Sequence, residues 1–420
     1  MPQPCSRCRP ASLSIRAGCG RDTDVARILA LSSRVPWPPR EGHQLRTFHL
    51  LRALASEHEV HLLSCLRPDD APGQPGSLRE MLGGFETFPL AHSRLQLIGS
   101  AAGSLLSSTP FVVRKYRLPA LRARLAEIVA DFDLVHVDML PLMAYADQVP
   151  ASTPLVLNAH NVEQILLERR IGVEASALAR GFLRTQLPRL RAFERAACER
   201  ADMILACSQA DAEQLRGFAP ATPVHVVPNG VDLELNKPGS NDPRASQLVF
   251  VGQMSWFPNR DGMDWFLAEV LPRVVAARAD VRLMLVGKSD GLQVPADVAA
   301  NVCLAGFVDD VRSYIRDSSI YVVPLRSGSG TRLKILEAMA LGKAIVTTTV
   351  GAEGIALRHG NDAMFADTAE DFADTVLKLM SQPAEIRRLG SNARALAERS
   401  FGWQAIGDAM LEQYRTLLSS

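Results

Sequence analysis

Between Pro324 and Ala340 the chain reads Pro-Leu-Arg326-Ser-Gly328-Ser329-Gly330-Thr331-Arg332-Leu-Lys334-Ile-Leu-Glu337-Ala-Met-Ala340. A strand pattern runs into a Gly/Ser loop, and the loop opens a helix. Such a loop turns backbone N–H groups toward a ligand, and the helix N-terminus carries partial positive charge. Arg332 and Lys334 place two cations in a first turn that the macrodipole disfavours. An anion at the same point resolves the conflict, and a diphosphate suits it. Glu337, one turn after Lys334, is spaced to accept hydrogen bonds from vicinal hydroxyls such as those of a ribose. The plain alternative is a solvated helix start behind a flexible loop.

Three further stretches sit where a strand pattern ends, the side on which open α/β sheets bind ligands. After the first strand comes Val35-Pro-Trp-Pro-Pro-Arg-Glu-Gly42-His43, with Gly42 just before a helix, where it lets backbone amides approach a phosphate. After Pro154 to Asn158 come His160, Asn161 and Glu163, a polar ligand site or a helix cap with a satisfied histidine. Val286-Gly287-Lys288 and Gly306-Phe307-Val308-Asp309 could line a base pocket. No G-x-G-x-x-G/A follows a strand and opens a helix, and no G-x-x-x-x-G-K-[ST], G-x-S-x-G or H-E-x-x-H occurs, so dinucleotide, P-loop and common hydrolase readings fall away.

The elements that must position these residues alternate. Val25–Ser32 reads as a buried strand, Leu45–Ser56 as a helix, and Glu59–Cys65 as the next strand. Leu121–Ala130 reads as a basic helix before strand Leu134–Val137. Strand Pro154–Asn158, helix Phe182–Arg200, strand Met203–Cys207 with Ser208 as a cap, and strand Val224–Val227 complete a first half. Pro228-Asn229-Gly230 and the polar 236–244 stretch form a linker. The second half restarts at Gln247–Val251. It continues through a helix near Trp265–Ala277, strands Val281–Val286 and Val302–Leu304, helix Val311–Arg316, strand Ile320–Pro324, helix Arg332–Leu341, strand Ala344–Thr348 and helix Ala369–Met380. Helices Ala384–Arg399 and Gln404–Leu418 end the chain. This is an α/β pattern of two doubly wound units, each near 200 residues.

The bulk properties agree. A chain of 420 residues holds two or three domains. With 46 basic and 45 acidic residues the net charge is +1, which disfavours a generic nucleic-acid binder. The apolar fraction of 47% excludes bulk disorder. The seven cysteines, odd in number and scattered, suggest a reducing compartment with mostly buried thiols. Cys5 and Cys8 form a CxxC with no partner pair at zinc spacing. Residues 1–24, rich in Arg, Cys, Pro and Ser, read as a disordered extension rather than a secretory signal. The window 94–114 is uncharged between its ends but too polar and broken for a membrane span. A soluble or peripheral protein is expected.

With these residues in view, the chain resembles the GT-B glycosyltransferases, and within them the retaining nucleotide-sugar transferases of family 4, closest to the branch that assembles exopolysaccharide or surface glycans. SRVPWPPREGHQLR, HEVHLL, NAHNVE, ADMILACS, VPNGVD, FVGQMSWFPNRDG, MLVGK, LAGFVDDV and YVVPLRSGSGTRLKILEAMALGKAIVTT followed by GAEGI occur in order over about residues 25–420. The resemblance implies two Rossmann-like domains around a cleft. The expected division is an acceptor domain over 25–228, a donor domain over 229–403, and a crossover helix over 404–420 that returns to the first domain. It implies a nucleoside diphosphate sugar as donor substrate, with no metal ion and no cofactor.

The resemblance also assigns residues. His160 matches the first-domain histidine near the reacting centre. Gly42, Gly330, Thr331, Arg332 and Lys334 fall at the diphosphate, Glu337 and Val308 at the ribose and base, and Gly328 and Ser329 at the donor sugar. His160, Lys334 and Glu337 are the catalytic set. The family's Glu-x7-Glu motif has only its second member here, Glu337; the first falls on Ser329. The family's Arg after the strand-end glycine is replaced by Gln253, and Asn259-Arg260 stand near the place of its Lys. Arg332 and Lys334 would supply the displaced charge.

The acceptor is expected to be a glycan or a polyprenyl-linked glycan. From Arg94 to Ala126 there are six basic residues (Arg94, Arg114, Lys115, Arg117, Arg122, Arg124) and no acid. They suggest contact with an anionic lipid surface or a polyprenyl diphosphate, against the alternative of a solvated basic helix. The expected location is cytoplasmic, either free or peripheral at the inner membrane face. The rival readings are an inactive GT-B scaffold, favoured by Ser329, and a nucleotide-sugar epimerase; a Rossmann dehydrogenase fails on its glycine pattern.

Overall fold

A computed structural model describes residues 25–419 apart from 40–41, 69, 71–75, 91–92, 175, 240–242 and 328–331. The extension at 1–24, with Cys5, Cys8 and Cys19, lies outside the described residues.

Two parallel sheets carry the chain. The first has seven strands: β1 (Arg27–Ser32), β2 (Glu59–Leu66), β3 (Gly84–Pro89), β4 (Leu134–Asp138), β5 (Leu155–Ala159), β6 (Met203–Ala206) and β7 (Val224–Val226), in the order β3-β2-β1-β4-β5-β6-β7. The second has six: β8 (Arg244–Val251), β9 (Arg282–Val286), β10 (Val302–Gly306), β11 (Ser318–Val323), β12 (Ala344–Thr347) and β13 (Met364–Phe365), in the order β10-β9-β8-β11-β12-β13. Both place the first strand beside the second on one side and the fourth on the other. That reversal opens a crevice at the carboxyl ends of β1/β4 and of β8/β11.

The strands form where apolar residues run without alternation, because helices cover both faces of a parallel sheet. Strands β4, β5, β6, β11 and β12 are buried along their whole length. Each sheet has a core on either face, one of them built around Leu50, Leu54, Met410 and Tyr414. The last two belong to the C-terminal helix Trp403–Leu418, which packs on the first sheet. His49 stacks on Trp403 with ring centroids 4.6 Å apart, and His136 Nδ1 lies 2.5 Å from the Tyr414 hydroxyl. The chain therefore crosses between the sheets twice, and the crossings touch, Val231 N–H donating to Phe401 O at 2.7 Å. Gly230 is required at this point, since a Cβ there would meet the Trp403 ring at 2.6 Å.

Several elements differ from the sequence pattern. Edge strands β3 and β13 were not visible: Gly84-Phe-Glu-Thr-Phe-Pro is short and half-exposed, and β13 has two residues. The helix expected from Leu45 begins at Gly42, so Gly42 is its first residue rather than the residue before it. The helix expected near Trp265 begins at Phe257, with Pro258 in its first turn, and relaxes into a π-turn over Phe266–Val270 before Leu271–Ala277. Pro272 has no N–H to continue the α-ladder there. The basic helix is Pro119–Ile128, and Ser208 caps its helix by accepting from Asp211 N–H at 3.1 Å.

Candidate functional site

On the first sheet the site grows from polar residues at the carboxyl ends of apolar strands. Asp138 ends β4 and pairs in register with Ser32 of β1 and Asn158 of β5. Asn158 and His160, two residues apart, extend on the same side. Next to Asp138, Met139 adopts φ +88°, unusual for a side chain with a Cβ, and turns the backbone out of the strand.

Asp138 is fully buried and surrounded by donors. Its Oδ1 accepts from Asn158 Nδ2 at 2.6 Å and faces His160 Nε2 at 2.8 Å. Its Oδ2 accepts from Thr47 Oγ1 at 2.6 Å and faces His43 Nε2 at 3.5 Å. Burial opposes its charge, but the two histidines hold the carboxyl well below the usual range. Burial lowers His160, with Asp138 opposing. The arrangement is an ionised carboxylate fixing two imidazoles whose rings are 5.1 Å apart. His43, Asp138 and His160 also present ligand atoms within 4.8 Å of one another, close enough to hold a divalent ion. Yet both Asp138 oxygens are already occupied by Asn158 and Thr47, so an ion would compete with that network.

Behind them lies Arg46, 1% exposed. Its guanidinium donates to Asn158 Oδ1 at 3.1 and 2.8 Å and to Val227 O at 2.7 Å. It also reaches Pro228 O at 3.2 Å and Asn229 Oδ1 at 3.3 Å. One side chain thus joins the interdomain linker to the histidine cluster.

On the second sheet, Gly252 directly follows β8. A Cβ on Gly252 would meet Lys334 Nζ at 2.8 Å, so the ammonium lies against the backbone at the strand end. Lys334 Nζ donates to Asn259 Oδ1 at 2.6 Å and sits 4.2 Å from the Phe250 ring centroid. Burial, then repulsion from Arg332, lowers Lys334 to about 7, with Glu337 opposing. Burial raises Glu337 to about 7, with Lys334 and Arg312 opposing. Gly287, at φ +127°, lets the loop after β9 close on Gly252, whose carbonyl a Cβ would meet at 2.3 Å. Arg260 turns away and binds the backbone of Asp290 and Gly291.

The two halves meet at helix ends. Gly42 is the first residue of helix Gly42–Ala55, and Leu333 is the first of helix Leu333–Ala340. A Cβ on Gly42 would meet Leu333 Cδ1 at 2.7 Å, so the two positive helix ends adjoin. Nearby, Arg169 donates to both Glu353 oxygens at 3.0 and 2.9 Å across the cleft. A cavity beside this bridge is lined by Asn161, Ile165, Asp211, Glu353 and Gly354.

Of the residues anticipated from sequence, Gly42 and Lys334 come to this junction, Glu337 lies on the same helix within reach of the Lys334 charge, and His160 stands at the carboxyl edge of the first sheet. Arg332 is 4% exposed at the helix start, where burial lowers it to about 10 and Glu353 attracts it. Val308 packs against the second-sheet core. Gly328, Ser329, Gly330 and Thr331 lie outside the described residues. Sequence reasoning did not assign Arg46, His43, Thr47, Asp138, Asn158 or Asn259. The available signal was a polar residue ending an apolar strand, as in Leu-Val-His-Val-Asp138 and Leu-Val-Leu-Asn158.

Known proteins share this two-sheet fold. Residues 41–235 match the family model described as Glycosyltransferase Family 4, and residues 245–382 match Glycosyl transferases group 1. The chain is 29% identical over 240 residues to a D-inositol 3-phosphate glycosyltransferase of Rhodococcus opacus, covering 51% of this chain and 53% of that one. It thus spans about half the length of that curated relative. It is 21% identical over 404 residues to an uncharacterized 44.6 kDa protein in the cps region of Klebsiella pneumoniae, covering 93% of this chain and 100% of that one. Among solved structures, sucrose-phosphate synthase from Thermosynechococcus elongatus aligns with a TM-score of 0.69 at 21% identity, covering 94% and 99% of the two chains. Anabaena HepE, solved with UDP and glucose, aligns with a TM-score of 0.63 at 16% identity, covering 93% and 100%.

Proposed function

From the place of this chain among the GT-B glycosyltransferases, we propose that it moves a sugar, with retention, from a nucleoside diphosphate donor to a hydroxyl of a glycan or lipid-linked acceptor in surface-glycan or exopolysaccharide synthesis. The observation that carries the reading is the meeting of two helix N-termini, at Gly42 and Leu333, beside the Lys334 ammonium. Two sets of backbone N–H groups and one cation at a strand-end crevice make a site for a diphosphate.

In the transfer, the bond from the anomeric carbon to the β-phosphate oxygen breaks and a bond to the acceptor oxygen forms. The acceptor proton passes to the departing diphosphate. Charge accumulates on that leaving group, and Lys334 with the two helix ends meets it; such preorganised donors are worth about 3 kcal/mol each. In this reading no metal ion or cofactor is needed. Glu337 receives the ribose hydroxyls, and Val308 lies on the base side. Gly330, Thr331 and Arg332 belong to the diphosphate, and Gly328 and Ser329 to the sugar. His160, fixed by Asp138, faces the sugar or the acceptor hydroxyl.

Among the described residues no helix is long and apolar enough to cross a membrane. Helix Arg94–Leu105 and the residue after it expose Leu95 (80%), Ile98 (64%), Leu105 (47%) and Leu106 (91%), which supports peripheral contact with a membrane that carries the acceptor. The basic stretch beside it supports this less, since Arg122 pairs with Asp147 and Arg124 with Glu86.

A thermal-shift panel of UDP, GDP, ADP and their sugars tests the reading, with UDP first because HepE was solved with it. One nucleotide should raise the melting temperature of the wild type and not that of Glu337→Ala. If none shifts the wild type, the inactive-scaffold reading replaces this one.

A further inference from the structure

Two cations near the histidine cluster, Arg67 and Lys115, make no ion pair among the described residues. Arg67 follows β2, and Lys115 follows the short helix Phe111–Arg114. Both converge on Tyr116, which is 4% exposed. Arg67 Nη2 donates to the Tyr116 hydroxyl at 2.8 Å, and Lys115 Nζ lies 5.2 Å from its ring centroid. Among the described residues neither makes an ion pair, although their neighbours do. Asp70 is taken by Arg34 and by the Arg67 backbone N–H, at 2.9 Å from the latter.

The surroundings do not neutralise them. Arg170 adds a third positive charge facing Lys115, and among the described residues Glu163 is the acid that opposes them. Burial and the adjacent Glu194 push Glu163 up to about 7, so at neutral pH it is a weak counter-ion. Glu194 is itself engaged, accepting from the N–H groups of Glu163 and Gln164 at 2.8 and 3.0 Å. Holding two half-buried cations side by side without an anion is costly.

The pair is also adjacent to the site. Ser33 stands beside the Tyr116 hydroxyl and, against burial, lowers its pKa, and the Ser33 Oγ lies 3.2 Å from His43 Nε2. His43 in turn faces Asp138 and His160. Arg67, Tyr116, Ser33 and His43 therefore form a continuous run along the carboxyl ends of β2, β1 and β4, on the first-domain side of the cleft.

We infer that Arg67 and Lys115 form an anion subsite that binds a phosphate group carried by the acceptor, next to the histidine pair where the acceptor hydroxyl is presented. The inference rests on the glycosyl-transfer reading and adds the acceptor's chemical class. The phosphate has two possible sources, a water-soluble sugar or polyol phosphate and the diphosphate headgroup of a lipid-linked glycan.

The experiment is calorimetric titration of the full chain, with and without saturating UDP. The probes are sn-glycerol 3-phosphate in one arm and farnesyl diphosphate in detergent micelles in the other. Wild type should bind at least one probe, and Lys115→Gln and Arg67→Gln should each weaken that binding at least about tenfold, the effect of losing one charge-assisted contact. Lys115→Arg should restore most of it, and UDP affinity should be the same in all four proteins. Selective binding of glycerol 3-phosphate assigns a soluble acceptor, and selective binding of farnesyl diphosphate assigns a lipid headgroup. If no probe binds, or if both glutamine variants bind as wild type does, the subsite is overturned. Failure of UDP to bind wild type would instead count against the donor reading. The dependence on Lys115 and Arg67 is read in the UDP-free arm either way, and melting curves confirm that each variant is folded.

Discussion

Lys334 and Asn259 are joined by a 2.6 Å hydrogen bond, which holds the ammonium against the end of β8, between Gly252 and the Phe250 ring. The two residues are 75 positions apart, and the contact exists because the helices that follow β8 and β11 start side by side at the switch point of the second sheet. Among the described residues this largely buried cation has an amide and a ring face as partners, with Glu337 acting on it through its charge.

Lys334→Gln should therefore lower kcat/KM for the donor by roughly 10²–10³-fold, the cost of losing one charged transition-state contact. Its melting temperature should equal or exceed that of wild type, because the substitution removes a charge that burial penalises. An unchanged kcat/KM with good donors would remove Lys334 from the site.

The pH dependence follows from the same pair. Lys334, lowered to about 7, binds fewer protons folded than unfolded between there and its ordinary value of 10.5, so its contribution to stability rises with pH across that window. Glu337, raised from 4.5 to about 7, binds more protons folded, so its contribution falls as pH rises across that window. Ligand-free protein should show a stability minimum near neutrality that Lys334→Met or Glu337→Gln makes shallower. Nucleoside diphosphate affinity should decline above about pH 7, by up to tenfold per pH unit, as free Lys334 loses its proton. Calorimetry in buffers of different ionisation enthalpy should register proton uptake on binding, and its absence would contradict the scheme.

Asp138→Asn should keep the shape of the cluster but accept from fewer donors. His160 and His43 then lose their common anchor, and a misplacement on the order of 1 Å costs roughly 10²-fold in rate. We expect kcat to fall far more than donor KM changes. Equal loss in both would assign Asp138 to donor binding.

Arg46→Met should destabilise the first domain by about 3 kcal/mol, since it strands Asn158 Oδ1 and the Val227 carbonyl in a buried setting. Denaturant melts should move to lower midpoint with an unchanged slope. Arg46→Lys should recover only part of the loss, because one ammonium cannot span both partners.

Tyr414→Phe should cost about 1–3 kcal/mol by leaving buried His136 without its partner, and Trp403→Ala about 3–5 kcal/mol through the lost packing on His49. Both act on the first sheet although the residues lie at the C-terminus. A melt in which only the second sheet weakens would contradict this docking of the last helix.

The sequence by itself determined the class of the fold. Unbroken apolar runs such as Met203–Ala206 and Ile320–Val323, bounded by turn signals, suit strands covered on both faces, and the helical patterns between them point to parallel crossovers. It also pointed to Arg332 and Lys334, because cations at a helix start are a local signal, to Glu337 by its spacing one turn on, and to Gly42, though one helix register off. Tertiary structure alone decided the rest. Asp138 reads as an ordinary strand-end acid until β4 is placed between β1 and β5, which brings His43, Asn158 and His160 onto it from three segments. Arg46 looks like a surface arginine on a helix until the linker at Val227–Asn229 closes over it. Arg122 and Arg124 belong to a uniform basic stretch in the sequence, and folding pairs them with Asp147 and Glu86 while leaving Lys115 beside Arg67. Each of these depends on strand order and crossover packing, which bring together residues far apart in the chain and leave no periodic trace in it.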